Sequence, residues 1–465
     1  MYRYNPILDT DSYKTSHFAQ YPANAEYISS YIESRGSEFG WPHTTVAGYT
    51  PWLVEYASKP IEQWMIDKAA IRLAKHGPSF NRAGWEYILK KHRGHIPIMI
   101  EAVPEGLVVP TGNVLMQMIN TDPVVPWVTS YKETGGLRGF WFPTTVATQD
   151  LEIKRTLKFW LEKTSDVFWE ELIGFMVHDF GGRGVSSFES ANIGGAAHLI
   201  HFLGTDTLPC LDFIEEYYGE DDVGYSVDAS EHSTTTCWGG EPGEYLCFEN
   251  MLDKFGKPGK IFASVGDSYD IMKAPEKWYR LREKLINSGA KLVVRPDSGE
   301  PTEIVPALIR KLMDKFGFTT NSKRYDVLPP YLGVLQGDGI NHVSIDQICS
   351  STAAENISLQ NLAFGMGGAM LQHVNRDTMK FAMKASSICR DGVWHDVYKD
   401  PVTDPGKRSK RGRLALVKRG GIFHTIRKEE VHRDEHNYLQ PVFLNGKVLK
   451  HPTFTEVREL ASRGV

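Results

Sequence analysis

The sequence is poor in cysteine. Its five thiols, Cys210, Cys237, Cys247, Cys349 and Cys389, are scattered, odd in number and never spaced as C-x-x-C. That pattern offers neither a disulfide framework nor a Cys-rich zinc site. No apolar run reaches the ~18 residues that a membrane-spanning helix needs. The opening Met1-Tyr2-Arg3-Tyr4-Asn5-Pro6 lacks the apolar core of a secretory signal. Basic charge is in deficit as well. There are 52 Lys+Arg against 57 Asp+Glu, a net charge of −5, which excludes a surface devoted to nucleic acid. Neither G-x-x-x-x-G-K-[ST] nor a strand-borne G-x-G-x-x-G occurs, so an ordinary P-loop or Rossmann site is not indicated. These absences leave a cytoplasmic globular protein of enzyme size, with no nucleic acid and no membrane among its expected partners.

What is present divides by rhythm. The chain has 465 residues, enough for about three domains at roughly 150 residues each, although barrels often run past 200 as one unit. The first part, 1–148, is rich in aromatics and in Pro/Gly punctuation. Its segments Ile96–Val103 and Val114–Ile119 read as short strands between turns. From 149 to 388 apolar runs end in glycine-rich or charged turns and helices follow. Val177 runs into His178-Asp179-Phe180-Gly181, Val265 into Gly266-Asp267-Ser268, Val294 into Arg295-Pro296-Asp297, Leu335 into Gln336-Gly337-Asp338-Gly339, and Phe364 into Gly365-Met366-Gly367-Gly368. The last four recur at roughly the 30–40 residues of a βα unit. Between them, one helix is predicted from Pro275 to Gly289. Another carries Ile304, Leu308, Leu312 and Met313 and stops at Gly317, and a capping box is read at Ser344–Gln347. The expected fold is α/β. An irregular parallel α/β barrel is joined to a second, β-rich α+β domain built from both chain ends, with 389–465 returning to the N-terminal part. A doubly wound open sheet is the alternative, because sequence does not show closure.

Polar residues gathered at C-terminal strand ends are what a parallel barrel places around its active site. Here they are Asp179, Arg183, Asp267, Arg295, Asp297 and Asp338, with glycines at 337, 339, 365, 367 and 368. Glycine turns let backbone N–H groups approach a phosphate. Arg183 and Arg295 suit bidentate phosphate recognition, and the three aspartates suit Mg²⁺, which takes carboxylate and phosphate oxygens together. A phosphate-bearing, Mg²⁺-dependent substrate at the barrel mouth follows, against the alternative of structural ion pairs. The stretch Ser226–Thr234 sets Glu231 beside His232, a competent phosphoryl acceptor. A polar loop or capped helix start explains the same residues. His198 and His201 stand at i, i+3, with helix packing favoured over a shared metal. The run Lys407-Arg408-Ser409-Lys410-Arg411-Gly412-Arg413 holds five cations in seven residues, equally readable as phosphate capture or as a solvated loop.

Together these blocks resemble the nicotinamide phosphoribosyltransferases, type II phosphoribosyltransferases of NAD salvage. The resemblance runs from Asn5-Pro6-Ile7-Leu8 nearly to the C-terminus. It is carried by Thr10–Lys14, His178–Gly181 with Arg183–Ser187, Gly204–Thr207, Glu231–Thr234, Asp267–Asp270, Arg295–Gly299, Gln336–Gly339, Asn375–Asp377, and Lys399–Val402 with Asp404-Pro405. The paired-acidic ribose motif of type I phosphoribosyltransferases is absent. The resemblance implies a pyridine ring sandwiched between Phe180 and Tyr13 of a second subunit, hence a homodimer with shared active sites. It implies that Asp206 accepts the nicotinamide amide N–H and repels nicotinate. Asp11, Arg183 and Arg295 match substrate-side residues, and Asp297 matches a ribose or Mg²⁺ carboxylate. Gly337, Asp338, Gly367 and Gly368 match binders of ribose and phosphate, and Arg376, Lys384, Lys399 and Lys407 match cations around the phosphates. His232 matches a histidine phosphorylated by ATP, supported by Glu231 and Asp267. The implied reaction joins nicotinamide to phosphoribosyl pyrophosphate with loss of pyrophosphate. Four positions depart from the pattern: Gly333 for an arginine, Gln360 for a glutamate, Ala382 for a serine and Asp228 for a proline. They bear on the ribose and phosphate contacts and on ATP coupling. A nicotinate-specific relative and a non-catalytic phosphate-binding barrel are the competing functions.

Overall fold

The computed structural model describes residues 3–403 and 407–465, so Asp404 and Pro405 of the resemblance lie outside the described residues. The chain divides into two compact units. The first comprises Met1–Thr148, Glu215–Glu220 and Asn375–Gly464; the second comprises Gln149–Ile214 and Asp221–Val374.

The first unit is built on a seven-stranded antiparallel sheet. Its order is Val393–Asp396, Phe381–Arg390, Ala25–Ser34, Val114–Asn120, Ile98–Ala102, Gln440–Leu444 and Lys447–Val448. Strands from both chain ends therefore share one sheet. Val114–Asn120 is buried along its whole length, because helices and aromatics cover the face that a solvated antiparallel sheet would leave wet. Tyr31, Met116, Met118, Phe140, Phe381 and Phe443 form part of this core. The buried Glu33 carboxylate is bonded to Lys410, which gives one cation of the basic run a structural partner.

The second unit is the expected parallel barrel. Its strands run in the order Gly204–Thr205, Val177–Asp179, Leu362–Met366, Leu332–Gln336, Lys291–Arg295, Ile261–Val265 and Asp228–Ala229. All neighbours are parallel. The edges meet at one parallel bridge between Gly204 and Tyr225, so the sheet curls shut and the open-sheet alternative is not realised. Side chains alternate across a strand. Ala263, Lys291, Val293, Arg295, Gly333, Leu335 and Ala363 accordingly line a cavity of 270 Å³. Most barrels fill that space with layers of bulky side chains; here small inward residues leave a bore.

Two local expectations are corrected. The helix predicted from Pro275 to Gly289 is two, Ala274–Arg280 and Arg282–Ser288, broken at Leu281. Gly289 closes the second at φ +67°, where its missing Cβ removes the strain of a left-handed residue. The capping box begins at Asn341 rather than Ser344. Asn341 Oδ1 accepts the N–H groups of Val343 and Ser344 at 2.9 and 3.0 Å, while Ser344 Oγ accepts from Asn341 N. The helix Pro301–Phe316 ends before Gly317 as predicted.

Candidate active site

The rim at the C-terminal strand ends brings most of the sequence-predicted residues of the second unit together. Phe180 follows the strand Val177–Asp179, and its N–H bonds Met366 O at 2.9 Å. Its ring rests where the next strand has no side chain: a Cβ on Gly365 would lie 2.0 Å from Phe180 Cε2. Arg295, at the end of its own strand, sets its guanidinium carbon 5.5 Å from the Phe180 ring centroid. A flat heteroaromatic ring suits such an aromatic face. Asp206 extends the two-residue strand Gly204–Thr205, and its N–H bonds Asp179 O at 2.9 Å. Its carboxylate is exposed and takes a hydrogen bond from Ser226 Oγ. Phe180, Asp206 and Arg295 all line the mouth of the bore.

A chain of polar contacts continues along the rim. Arg295 donates to both Asp297 oxygens at 3.3 Å. Asp267 Oδ2 accepts the Asp297 N–H at 3.1 Å and the Ser298 hydroxyl at 2.6 Å. The other Asp267 oxygen, Oδ1, lies 3.0 Å from His232 Nε2. Asp267 is nearly buried at 3% side-chain exposure, whereas His232 is 47% exposed, so a protected carboxylate orients a ring that solvent can reach. His232 opens the helix His232–Thr236, with Glu231 as its cap, closing a capping box with Thr234. The Ser226–Thr234 stretch thus contains a capped helix start, whose first residue, His232, contacts Asp267.

The glycines have separate uses. A Cβ on Gly337 would stand 3.2 Å from Asp297 Oδ1 and 3.6 Å from Phe180 Cε2, so the bare backbone leaves that corner open. Asp338 beside it is exposed. Gly367 and Gly368 begin a single helical turn, Gly368–Leu371. Arg183 is exposed on the turn after Phe180. Among the described residues no group of three or more His, Cys, Asp or Glu could hold a metal by itself. Mg²⁺ does not require one, since it binds through one or two carboxylates plus phosphate oxygens. Asp297 and Asp338, flanking the bare Gly337, fit that role.

The remaining predicted residues belong to the first unit. Tyr13 is 60% exposed, its ring 5.1 Å from Lys14 Nζ. Lys14 is buried and paired with Glu133 at 2.6 Å. Asp11 accepts from Thr134 Oγ1 at 2.6 Å. Burial pushes the Lys384 ammonium below its usual range; Glu133 opposes this, and the charges of Lys399, Arg35 and Lys14 reinforce it. Arg376 pairs with Asp377 at 2.9 Å on the surface. Lys407 is exposed.

Of the four departures, two line the bore. Gly333 lies on the strand Leu332–Gln336, paired with Val293, and lines the bore with Lys291. A Cβ there would meet Lys291 Cε at 3.2 Å. Gln360 also lines this bore and accepts a hydrogen bond from Ser165 Oγ at 2.8 Å. Ala382 is buried opposite Glu33 in the first unit, and Asp228 is exposed on an edge strand. Sequence reasoning missed Lys291, Ser298 and the Ser226–Asp206 contact, because each gains its meaning from a neighbouring strand and carries no local signal.

Comparisons with known proteins identify the family. Residues 175–447 match the nicotinate phosphoribosyltransferase (NAPRTase) family, and residues 5–100 match the nicotinamide phosphoribosyltransferase N-terminal domain. The chain is 47% identical over 461 residues to a nicotinamide phosphoribosyltransferase of Xanthomonas campestris pv. campestris, covering 98% of this chain and 97% of that one. It is 30% identical to one of Acinetobacter baylyi at the same coverage. In fold it resembles nicotinate-nucleotide pyrophosphorylase from Pyrococcus furiosus, with a TM-score of 0.63 at 16% identity, covering 100% of this chain and 97% of that one. Human nicotinic acid phosphoribosyltransferase gives 0.59 at 14% identity, covering 98% and 93%. With rim, fold and near full-length identity in agreement, the chain belongs to the nicotinamide phosphoribosyltransferases, within the nicotinate phosphoribosyltransferase family.

Proposed function

We propose that the protein joins nicotinamide to phosphoribosyl pyrophosphate, giving nicotinamide mononucleotide and pyrophosphate in NAD salvage. The observation that carries this reading is the shared rim of Phe180, Asp206, Arg295 and Asp297. The pyridine ring lies on Phe180. Its amide N–H donates to Asp206, a carboxylate that would face the carboxylate of nicotinate unpaired. The pyridine nitrogen attacks the anomeric carbon as the bond to pyrophosphate breaks, and the leaving group departs with the electron pair. The attacking nitrogen has no proton to lose, so no general base is required there. The ring takes up positive charge in the product, and the nearby carboxylates favour it. Arg295 and the glycine-turn amides hold the phosphate side. Mg²⁺, held by Asp297 and Asp338 with phosphate oxygens, would offset charge on the departing pyrophosphate.

ATP enters this reading as a second substrate that phosphorylates His232. With the Nε2 proton shared with Asp267, Nδ1 keeps its lone pair and attacks the γ-phosphorus as the bond to the β–γ bridging oxygen breaks, and ADP leaves with that electron pair. A second copy of the chain supplies Tyr13 to the open face of the pyridine and makes the working enzyme a homodimer. The exposure of Tyr13 supports this. Among the described residues no helix is long and apolar enough to cross a membrane, and a cytoplasmic location suits substrates of NAD metabolism.

The test is direct. Purified protein receives phosphoribosyl pyrophosphate and Mg²⁺ with nicotinamide or nicotinate, with and without ATP. Mononucleotide from nicotinamide, raised by ATP, is the expected result. Product from nicotinate alone, or from neither base, overturns the reading.

A further inference from the structure

Beneath the rim lies a group of ionisable side chains that no step above uses. His198, the last residue of the helix Phe188–His198, is fully buried. Its Nδ1 lies 2.9 Å from Asp150 Oδ2, and its Nε2 lies 3.0 Å from the Gly204 carbonyl oxygen. Both ring nitrogens thus face acceptors, and only an imidazolium donates from both. Asp179, also fully buried, faces the same ring electrostatically. One oxygen of Asp150 has no hydrogen-bond partner among the described residues. A cation at His198 offsets two carboxylates that burial would otherwise penalise.

The covalent neighbours of these groups are the rim. Asp179 Oδ1 accepts the Gly181 N–H at 2.7 Å, on the turn that presents Phe180. The Asp179 carbonyl accepts the Asp206 N–H. Gly204 begins the strand that ends two residues before Thr207, and a Cβ on it would overlap the His178 ring at 2.4 Å. A strand of two residues has little pairing of its own to fix it. The bond from His198 to the Gly204 carbonyl is a side-chain anchor within two residues of Asp206.

We propose that His198 is a positioning residue: its doubly donating ring, braced by Asp150, fixes the spacing between the Phe180 turn and the Asp206 strand, and so sets the affinity for the pyridine substrate. This rests on the reading given above for Phe180 and Asp206. It also explains why a charge cluster is tolerated in a core that Leu or Phe would fill at lower cost.

Two substitutions separate positioning from stability. His198→Asn keeps a donor at the Nδ1 position and loses the bond to Gly204. His198→Gln places a donor near the Nε2 position and loses the bond to Asp150. The expected result is a rise of at least tenfold in the nicotinamide KM for His198→Asn, with kcat within threefold of wild type. His198→Gln should keep KM within threefold, although both lower the unfolding temperature. Equal KM changes in the two variants, or none in His198→Asn, overturn the proposal. Should neither variant fold, the wild-type pH profile decides. Loss of the imidazolium proton should raise KM but not kcat, in the setting of Asp150 on the helix Glu133–Thr164, Asp179 and His178 on the neighbouring strand, and His201 one turn away. A KM that stays flat across the pH at which the His198 ring loses its proton, followed by NMR, overturns it. Nicotinamide binding measured by calorimetry keeps the tests apart: absent wild-type turnover with intact binding faults the proposed reaction and leaves the positioning comparison standing.

Discussion

Gly365→Ala is the smallest change that should disable the pyridine site. Gly365 is buried on the strand Leu362–Met366, between two parallel neighbours, so its backbone has no freedom to retreat. The added methyl would sit 2.0 Å from Phe180 Cε2, 2.3 Å from Cδ2 and 2.9 Å from Cζ. Carbon atoms settle at about 3.5 Å, so the ring must move by roughly 1.5 Å. Phe180 is only half-buried, which lets it swing outward instead of unfolding the barrel, at about 1–3 kcal/mol of stability. A displacement of about 1 Å in a binding group costs about 100-fold in rate, equal to about 2.7 kcal/mol. The assay is kcat/KM for nicotinamide at fixed phosphoribosyl pyrophosphate, in a cycle with Phe180→Ala. If the clash acts through the ring, the methyl added at Gly365 should have little further effect once the ring is gone. A Gly365→Ala enzyme within threefold of wild type refutes the argument. So does strict additivity with Phe180→Ala.

Asp206→Asn should narrow discrimination between nicotinamide and nicotinate, since two carboxylates about 4 Å apart near a surface repel by about 1–4 kcal/mol. Unchanged ratios of kcat/KM for the two bases would falsify that role. His232→Ala should give an enzyme whose reduced turnover ATP no longer raises, and Asp267→Asn should weaken ATP stimulation by releasing the ring. Full stimulation in either variant contradicts the contact between the two side chains. Burial works against charge on His198, but Asp150, Asp179 and the Gly204 carbonyl outweigh it and hold its pKa above the usual imidazole value. The sign follows. Stability from this proton is complete below about pH 6.5 and declines as pH rises through the folded pKa. Unfolding temperatures from pH 6 to 9 should show a downward slope that His198→Asn removes.

Much of this molecule is legible along the chain. Runs such as Ile261–Val265 and Lys291–Arg295 are short, apolar and followed by charged turns, and local rules suffice to place Asp267, Arg295 and Asp297 at strand ends. The motif around Glu231 and His232 names both a helix cap and a reactive ring, because capping chemistry is local. The break at Leu281 and the shift of the capping box to Asn341 were not legible, since each turns on backbone geometry over one or two residues. Tertiary structure alone decided three things. It closed the sheet through Gly204 and Tyr225. It hollowed the barrel, because Ala263, Gly333 and Ala363 become a bore only when they face one another. It turned His198 from a helix residue into the buried partner of Asp150 and Gly204, across separations in sequence of 48 and 6 residues. Sequence therefore determined which groups stand at the strand ends, for that is a matter of local pattern. Which of them touch, and what lies behind them, required strands distant in sequence to lie side by side.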